Sequence, residues 1–190
     1  MPNSTQNSGK LIYLIGASGA GKDTVLEELR ASISDANTLI AHRYVFRQNE
    51  HNAFFENQIS LTADEFSKRS KNGFFAMEWH AHSASYGIGS EIDIWLNAGK
   101  HVIVNGSRQY LTTMHEKYPD ACVVALVVDD DVLRARLKAR GRESQNEIEE
   151  RIARNNRLSK AIPENAVCID NSGELKQTIL QFTDLLSNLS

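Results

Sequence analysis

Apolar and polar positions alternate along the chain in blocks that change period. LIYLIG (Leu11 to Gly16) is a short apolar run closed by turn residues, the pattern of a parallel strand buried on both faces. Beyond a glycine-rich turn, Val25, Leu26, Leu29 and Ile33 recur at helical spacing. HVIVNG (His101 to Gly106) and CVVALVV (Cys122 to Val128) read as two further buried strands, with a helix between them over Arg108 to Lys117. Asp131 to Arg140 reads as a helix capped by the preceding acids, and a charged helix is predicted over Glu147 to Lys160. A last strand, Ala166 to Asp170, precedes a helix marked by Leu175, Ile179, Phe182 and Leu186. Strands alternating with helices predict an α/β fold whose central parallel sheet is wrapped by helices. The stretch from about Leu39 to Gly89 breaks the rhythm. TLIAHRYVFR, a helix near Ala63 to Ser70, and FFAMEWHAHSASYGIG predict a small lobe of short antiparallel strands. The expected organisation is one domain over 1–190, with a core of 10–36 and 99–190, an inserted acceptor-binding lobe at 37–90 and a lid at 136–151.

Composition narrows the function classes. With 21 Lys and Arg against 24 Asp and Glu, the 190-residue chain carries a net charge of −3. That balance supplies no broad field for nucleic acid or an anionic membrane, so neither is an expected partner. No apolar run approaches the length of a membrane span, and the polar first ten residues lack the apolar centre of a signal peptide. These features predict a soluble cytoplasmic protein. Cys122 and Cys168 both lie in apolar runs and are expected to be buried, reduced thiols.

The chemistry concentrates first in GASGAGKD, which fits the G-x-x-x-x-G-K phosphate-binding loop. The glycines let backbone N–H groups curl around an oxyanion at a helix N-terminus, and Lys22 reaches the outer phosphates. Gly16, Ala17, Ser18, Gly19, Ala20, Gly21, Lys22, Asp23 and Thr24 are therefore the candidate ATP-binding residues. The hydroxyl residue that usually follows the lysine and ligates Mg²⁺ is replaced by Asp23, with Thr24 next. Either Asp23 ligates the ion as a charged hard donor, or it caps the helix and acts through water with Thr24 assisting. The end of the HVIVN strand, where many such enzymes place another acid, carries Asn105.

A second cluster, LRARLKARGRESQNEIEERIARNNR, gathers Arg134, Arg136, Arg140, Arg142, Arg151, Arg154 and Arg157. Such a run is often a solvated face satisfied by its own glutamates. Beside a phosphate loop it also suits a lid that brings guanidinium charge to a transferred phosphoryl group. Arg136, Arg140, Arg142 and Arg151 are the candidates for that catalytic work, together with Lys22.

The loop, the early insertion, the YG near residue 86 and the RL-x-x-RG…I-x-x-R lid resemble the guanylate kinase group of P-loop kinases. More narrowly, AHRYVFR, EWHAHSASYGIG, EIDIWLNAG, VNGSR and RGRES resemble the ribose 1,5-bisphosphate phosphokinases, over nearly all of Lys10 to Gly173. This likeness implies a guanylate-kinase-like P-loop fold, ATP and Mg²⁺ as cofactors, and a small sugar phosphate as partner. It also implies synthesis of 5-phosphoribosyl 1-diphosphate in phosphonate catabolism. The departures from guanylate kinases agree. Ser107 stands where those enzymes carry a guanine-reading acid, and Arg47 and Tyr86 match their phosphate-holding lobe while Gln58 falls near an expected tyrosine. Arg43, Arg47 and Arg108 suit phosphates; His80, His82, Tyr86, Asn105 and Ser107 suit hydroxyls or phosphate oxygens. His80 and His82 lie on one face of a strand, as a metal pair would, but nothing at metal-ligand spacing completes a metal site. IDNSGE resembles the adenine-side loop of these kinases and equally reads as a plain turn. The competing readings are a guanylate kinase or other small-acceptor kinase, and a non-catalytic binding module.

Overall fold

The computed structural model describes residues 9–33, 35–48, 57–81, 83–141 and 143–189. In chain order the elements begin with β1 (Leu11–Gly16), α1 (Lys22–Ser32), β2 (Thr38–Ile40), β3 (Arg43–Arg47) and β4 (Gln58–Ser60). Then come α2 (Ala63–Lys71), β5 (Phe75–Ala81), β6 (Ala84–Gly89), α3 (Glu91–Asn97) and β7 (His101–Asn105). A 3-10 turn, Arg108–Tyr110, leads into α4 (Leu111–Lys117), followed by β8 (Cys122–Val127), α5 (Asp130–Arg140) and α6 (Gln145–Ser159). β9 (Val167–Asp170) and α7 (Leu175–Ser187) end the described chain. The central sheet has the order β2-β7-β1-β8-β9, and the β2–β7 and β8–β9 ladders are parallel. A second sheet has the order β4-β3-β6-β5. The α/β class with a parallel central sheet is the one the sequence predicts.

The described residues form two compact units, those within 1–12, 33–105 and 112–121 in the first, and those within 13–32, 106–111 and 122–190 in the second. The first takes in β2, α3, β7 and α4 as well as the expected insertion, so it is wider than the segment 37–90.

In the first unit, β3 and β5 both pair antiparallel with β6, while β4 joins β3 in parallel. Because side chains alternate along a strand, this register gives the sheet two distinct faces. One face packs on α2. There Phe75 lies against Phe66 and Tyr44 at centroid distances of 4.9 and 5.6 Å, and Arg69 stacks on Tyr44 at 4.8 Å. α2 starts at Thr62, whose hydroxyl accepts the Glu65 N–H while Glu65 reaches back to the Thr62 N–H, a capping box legible as T-x-x-E.

In the second unit, β8 buries Val123, Val124, Ala125 and Leu126, as expected of an interior strand. α7 buries Thr178, Ile179, Phe182 and Leu186 along one stripe, and α1 buries Val25, Leu26 and Leu29. Each such Val, Leu, Ile or Phe side chain contributes about 1.5–3 kcal/mol. α6 begins in a second capping box, with Ser144 accepting the Glu147 N–H. Two expectations are corrected. Asp129 occupies the N-cap of α5 without a side-chain cap bond; its own N–H is bound by the Ser172 hydroxyl at 2.9 Å. Cys168 is exposed rather than buried, because β9 is an edge strand on which only Ile169 is buried. Cys122 is half-buried, and the two cysteines form no disulfide with each other. No described helix is long and apolar enough to cross a membrane.

Candidate functional site

The phosphate loop lies in the second unit, between the buried end of β1 and the first turn of α1. Gly19 and Gly21 have φ of +92° and +91°, a region in which side chains with a Cβ are strained. A Cβ on Gly21 would also come within 2.7 Å of the Asn171 amide nitrogen. The Ala20 N–H closes the turn on the Ala17 carbonyl at 3.1 Å. Lys22 folds back over the loop and donates from Nζ to the Gly16 and Ala17 carbonyls, each at 2.9 Å.

Two lid arginines meet this loop. Arg151 donates from Nη1 to the Ser18 hydroxyl at 3.1 Å, and its Nη2 pairs with Glu143 at 3.2 Å. Arg136 donates from Nη2 to the Asn171 carbonyl at 2.8 Å and from Nη1 to the Ala20 carbonyl at 3.4 Å. Lys22, Arg136 and Arg151 thus gather on one loop. Arg140 is exposed at the end of α5, away from these contacts, and Arg142 lies outside the described residues. Arg134 serves structure: it binds Asp131 at 2.6 Å and Glu149 at 2.8 Å, tying α5 to α6. These bonds, chiefly the one to Glu149, raise its pKa and lower that of Glu149.

Asp23 and Thr24 stand in the first turn of α1, Asp23 half-buried and Thr24 exposed. Among the described residues no group of three or more His, Cys, Asp or Glu could hold a metal ion. The Asp23 carboxylate with the Thr24 hydroxyl beside it is instead a donor set of the kind Mg²⁺ takes, since that ion keeps several waters and uses one or two carboxylates together with substrate phosphates.

Sequence reasoning missed Asn171 as part of this loop. Its buried side chain donates to the Ala20 carbonyl at 2.7 Å and accepts from the Thr178 hydroxyl at 2.8 Å. The signal was its position just past β9 within IDNSGE, beside the glycine-rich loop in the fold but remote in sequence.

The bend after β7 belongs to the same unit from Gly106 onward. Gly106 is required by a close approach, since a Cβ there would lie 2.2 Å from the Tyr13 ring. The Tyr13 hydroxyl accepts the Ser107 N–H at 2.9 Å and donates to the Ser107 carbonyl at 3.1 Å. Burial, the larger influence, pushes the Tyr13 pKa far above the ordinary tyrosine range, against the lowering effect of the Ser107 backbone bond. Ser107 Oγ accepts the Gln109 N–H at 3.3 Å, and Arg108 leaves the bend toward Asn155.

The remaining candidates lie in the first unit. Strand register puts Arg43, Arg47, Gln58 and Tyr86 on the sheet face opposite α2. Arg43 lies over the Tyr86 ring at 4.9 Å, Tyr86 stacks on Trp79 at 5.6 Å, and Arg47 donates to Gln58 at 3.2 Å. His80 is not with them. It pairs with Ser85 rather than Tyr86, so it faces the other side, exposed, with Nδ1 2.9 Å from the Ser85 hydroxyl. His82 lies outside the described residues. Asn105 is buried at the last position of β7.

A family model described as an AAA domain matches residues 12–157. The ribose 1,5-bisphosphate phosphokinase of Pectobacterium parmentieri is 46% identical over 178 residues, covering 93% of this chain and 93% of that protein. The enzyme of the same name from Burkholderia pseudomallei is 43% identical over 183 residues, covering 95% and 97%. Among solved structures, the guanylate kinase of Anaplasma phagocytophilum superposes with a TM-score of 0.69 at 14% identity, covering 96% of this chain and 86% of that one. The fold is that of a guanylate-kinase-like P-loop kinase.

Proposed function

Because the chain belongs to the ribose 1,5-bisphosphate phosphokinase family, we propose that it transfers the γ-phosphoryl of ATP to the 1-phosphate of ribose 1,5-bisphosphate. The products are 5-phosphoribosyl 1-diphosphate and ADP. The observation that carries the reading is the convergence of Lys22, Arg136 and Arg151 on one phosphate loop.

The nucleophile is a phosphate oxygen whose second pKa is about 6, so it is mostly dianionic at neutral pH. No general base has to remove a proton. The obstacle is repulsion between two polyanions, and fixed positive charge lowers that barrier. In this reading, the Lys22 ammonium leaves the Gly16 and Ala17 carbonyls for the outer phosphates of ATP. Arg151, held by Glu143 at the Ser18 hydroxyl, stabilises charge on the transferring group, and Arg136 secures the far side of the loop at Ala20. Asp23, with Thr24 beside it, would hold Mg²⁺, which when bound neutralises charge between the β- and γ-phosphates.

For the acceptor, Arg43 and Arg47 supply cationic groups to its phosphates, and Tyr86 keeps Arg43 in place through their ring contact. Ser107 and Asn105 supply neutral groups suited to sugar hydroxyls, whereas a guanine needs an acid to accept from its N1 and N2.

An acceptor panel with ATP and Mg²⁺ tests the assignment. Ribose 1,5-bisphosphate should be used with a kcat/KM far above those of GMP, ribose 5-phosphate and gluconate. A preference for GMP would overturn the acceptor assignment while leaving the donor chemistry in place.

A further inference from the structure

Two arginines of the second unit are cross-linked to each other's neighbours. Arg108, leaving the bend after β7, donates from Nη1 to the Asn155 side-chain oxygen at 2.7 Å and to its backbone carbonyl at 3.4 Å. Arg154, the residue before Asn155, donates from Nη2 to the Gln109 side chain at 3.3 Å, and Gln109 is the residue after Arg108. These bonds bring Arg108 of the 3-10 turn and Arg154 of α6 to one place, near enough that the Arg154 charge acts on Arg108. Arg108 is half-buried and its hydrogen bonds go to the neutral Asn155. Its pKa is lowered by burial and then by repulsion from Arg154, the reverse of Arg134, which sits between two carboxylates. Holding like charges together is unfavourable, and an anion that binds both relieves it.

Position on α6 indicates which anion. Arg151 and Arg154 are three residues apart, so they share a helix face with Cβ atoms about 5–6 Å apart. One helix thus presents Arg151 to the ATP-binding loop and Arg154 to the bend that carries Ser107. We propose that Arg108 and Arg154 form a two-guanidinium subsite for the acceptor's reacting phosphate, the one at C1, with Asn155 and Gln109 as positioning residues. A pair of forked donors suits the three oxygens of a phosphate monoester. The proposal rests on the acceptor assigned above and adds to it a residue that the lid motif does not single out.

Calorimetric binding without ATP tests it on the full-length wild type, Arg154→Gln, Arg154→Lys and Arg108→Gln, with ribose 1,5-bisphosphate and ribose 5-phosphate as ligands. Arg154→Gln and Arg108→Gln should each weaken the bisphosphate on the order of 10- to 100-fold, the loss of a charge-assisted contact. Arg154→Lys should recover part of the affinity, and ribose 5-phosphate, which lacks the C1 phosphate, should bind all four proteins alike. In turnover, the acceptor KM of Arg154→Gln should rise while the ATP KM stays put. Unchanged bisphosphate affinity in Arg154→Gln overturns the subsite, as does an equal loss for ribose 5-phosphate or a shift confined to the ATP KM. If the wild type binds the bisphosphate as described but does not phosphorylate it, the functional reading fails and the subsite stands. If the wild type does not bind it, both fall.

Discussion

Replacing Tyr13 by Phe isolates the bonds that fix the bend carrying Ser107 and Arg108. The ring is fully buried at 0% exposure, so Phe keeps the packing and the change reduces to one hydroxyl. That hydroxyl makes two hydrogen bonds to the Ser107 backbone, at 2.9 and 3.1 Å. A net hydrogen bond contributes about 0.5–1.5 kcal/mol, so losing both costs about 1–3 kcal/mol. Ser107 is half-buried, and water reaching its backbone brings the expected loss to about 1–2 kcal/mol. With a urea slope of about 2 kcal/mol/M, the midpoint should fall by about 0.5–1 M at unchanged slope. The pH dependence gives a second signature. Because burial raises the Tyr13 pKa, the folded protein keeps a proton that the unfolded chain loses above about pH 10. This stability is fully present below that pH and declines by about 1.4 kcal/mol per unit as the pH rises further. Phe has no proton to lose, so the gap between wild type and variant should narrow above about pH 10. Urea titrations at neutral pH and along an alkaline series read both effects. An unchanged midpoint at neutral pH, or the same alkaline decline in both proteins, would refute the reasoning.

Lys22→Ala should lower kcat by about a hundredfold or more while leaving the urea midpoint nearly unchanged, because Lys22 carries charge and no core packing; near-normal turnover in the folded variant would contradict the phosphate-loop assignment. Asp23→Asn and Asp23→Ala should raise the Mg²⁺ concentration for half-maximal activity, with Asp23→Ser retaining more activity than Asp23→Ala; an unchanged magnesium requirement in Asp23→Ala would assign Asp23 to helix capping. Asn171→Ala should destabilise the fold by about 1–3 kcal/mol and raise the KM for ATP, since it removes one hydrogen bond each from the Ala20 carbonyl and the Thr178 hydroxyl. Arg43→Gln should raise the acceptor KM and leave the KM for ATP alone, as steady-state kinetics with each substrate varied will show.

What was legible in the sequence was local. LIYLIG followed by GASGAGK is strand, turn and helix in one stretch, and each residue type has a single-position reason to be there. Arg43 and Arg47 were likewise legible as phosphate-binding candidates in AHRYVFR, while the face they share with Gln58 and Tyr86 follows from strand register. The partners of that chemistry are set by tertiary register, which no spacing records. Asn171 is 151 positions from Ala20, and Tyr13 is 94 from Ser107. Cys168 sits in an apolar run but on an edge strand, and His80 depends on which residue of β6 it opposes. Gly106 shows the boundary: it reads as a turn glycine, while the actual demand is the Tyr13 ring against its backbone.

The most direct measurement of the central claim is ³¹P NMR of the product formed from ATP, Mg²⁺ and ribose 1,5-bisphosphate. Transfer to the 1-phosphate predicts a pair of mutually coupled diphosphate resonances at C1, an unchanged 5-phosphate monoester, and ADP in equal amount. A diphosphate at C5, a new monoester on a ring hydroxyl, or orthophosphate and ADP with the bisphosphate intact would contradict it.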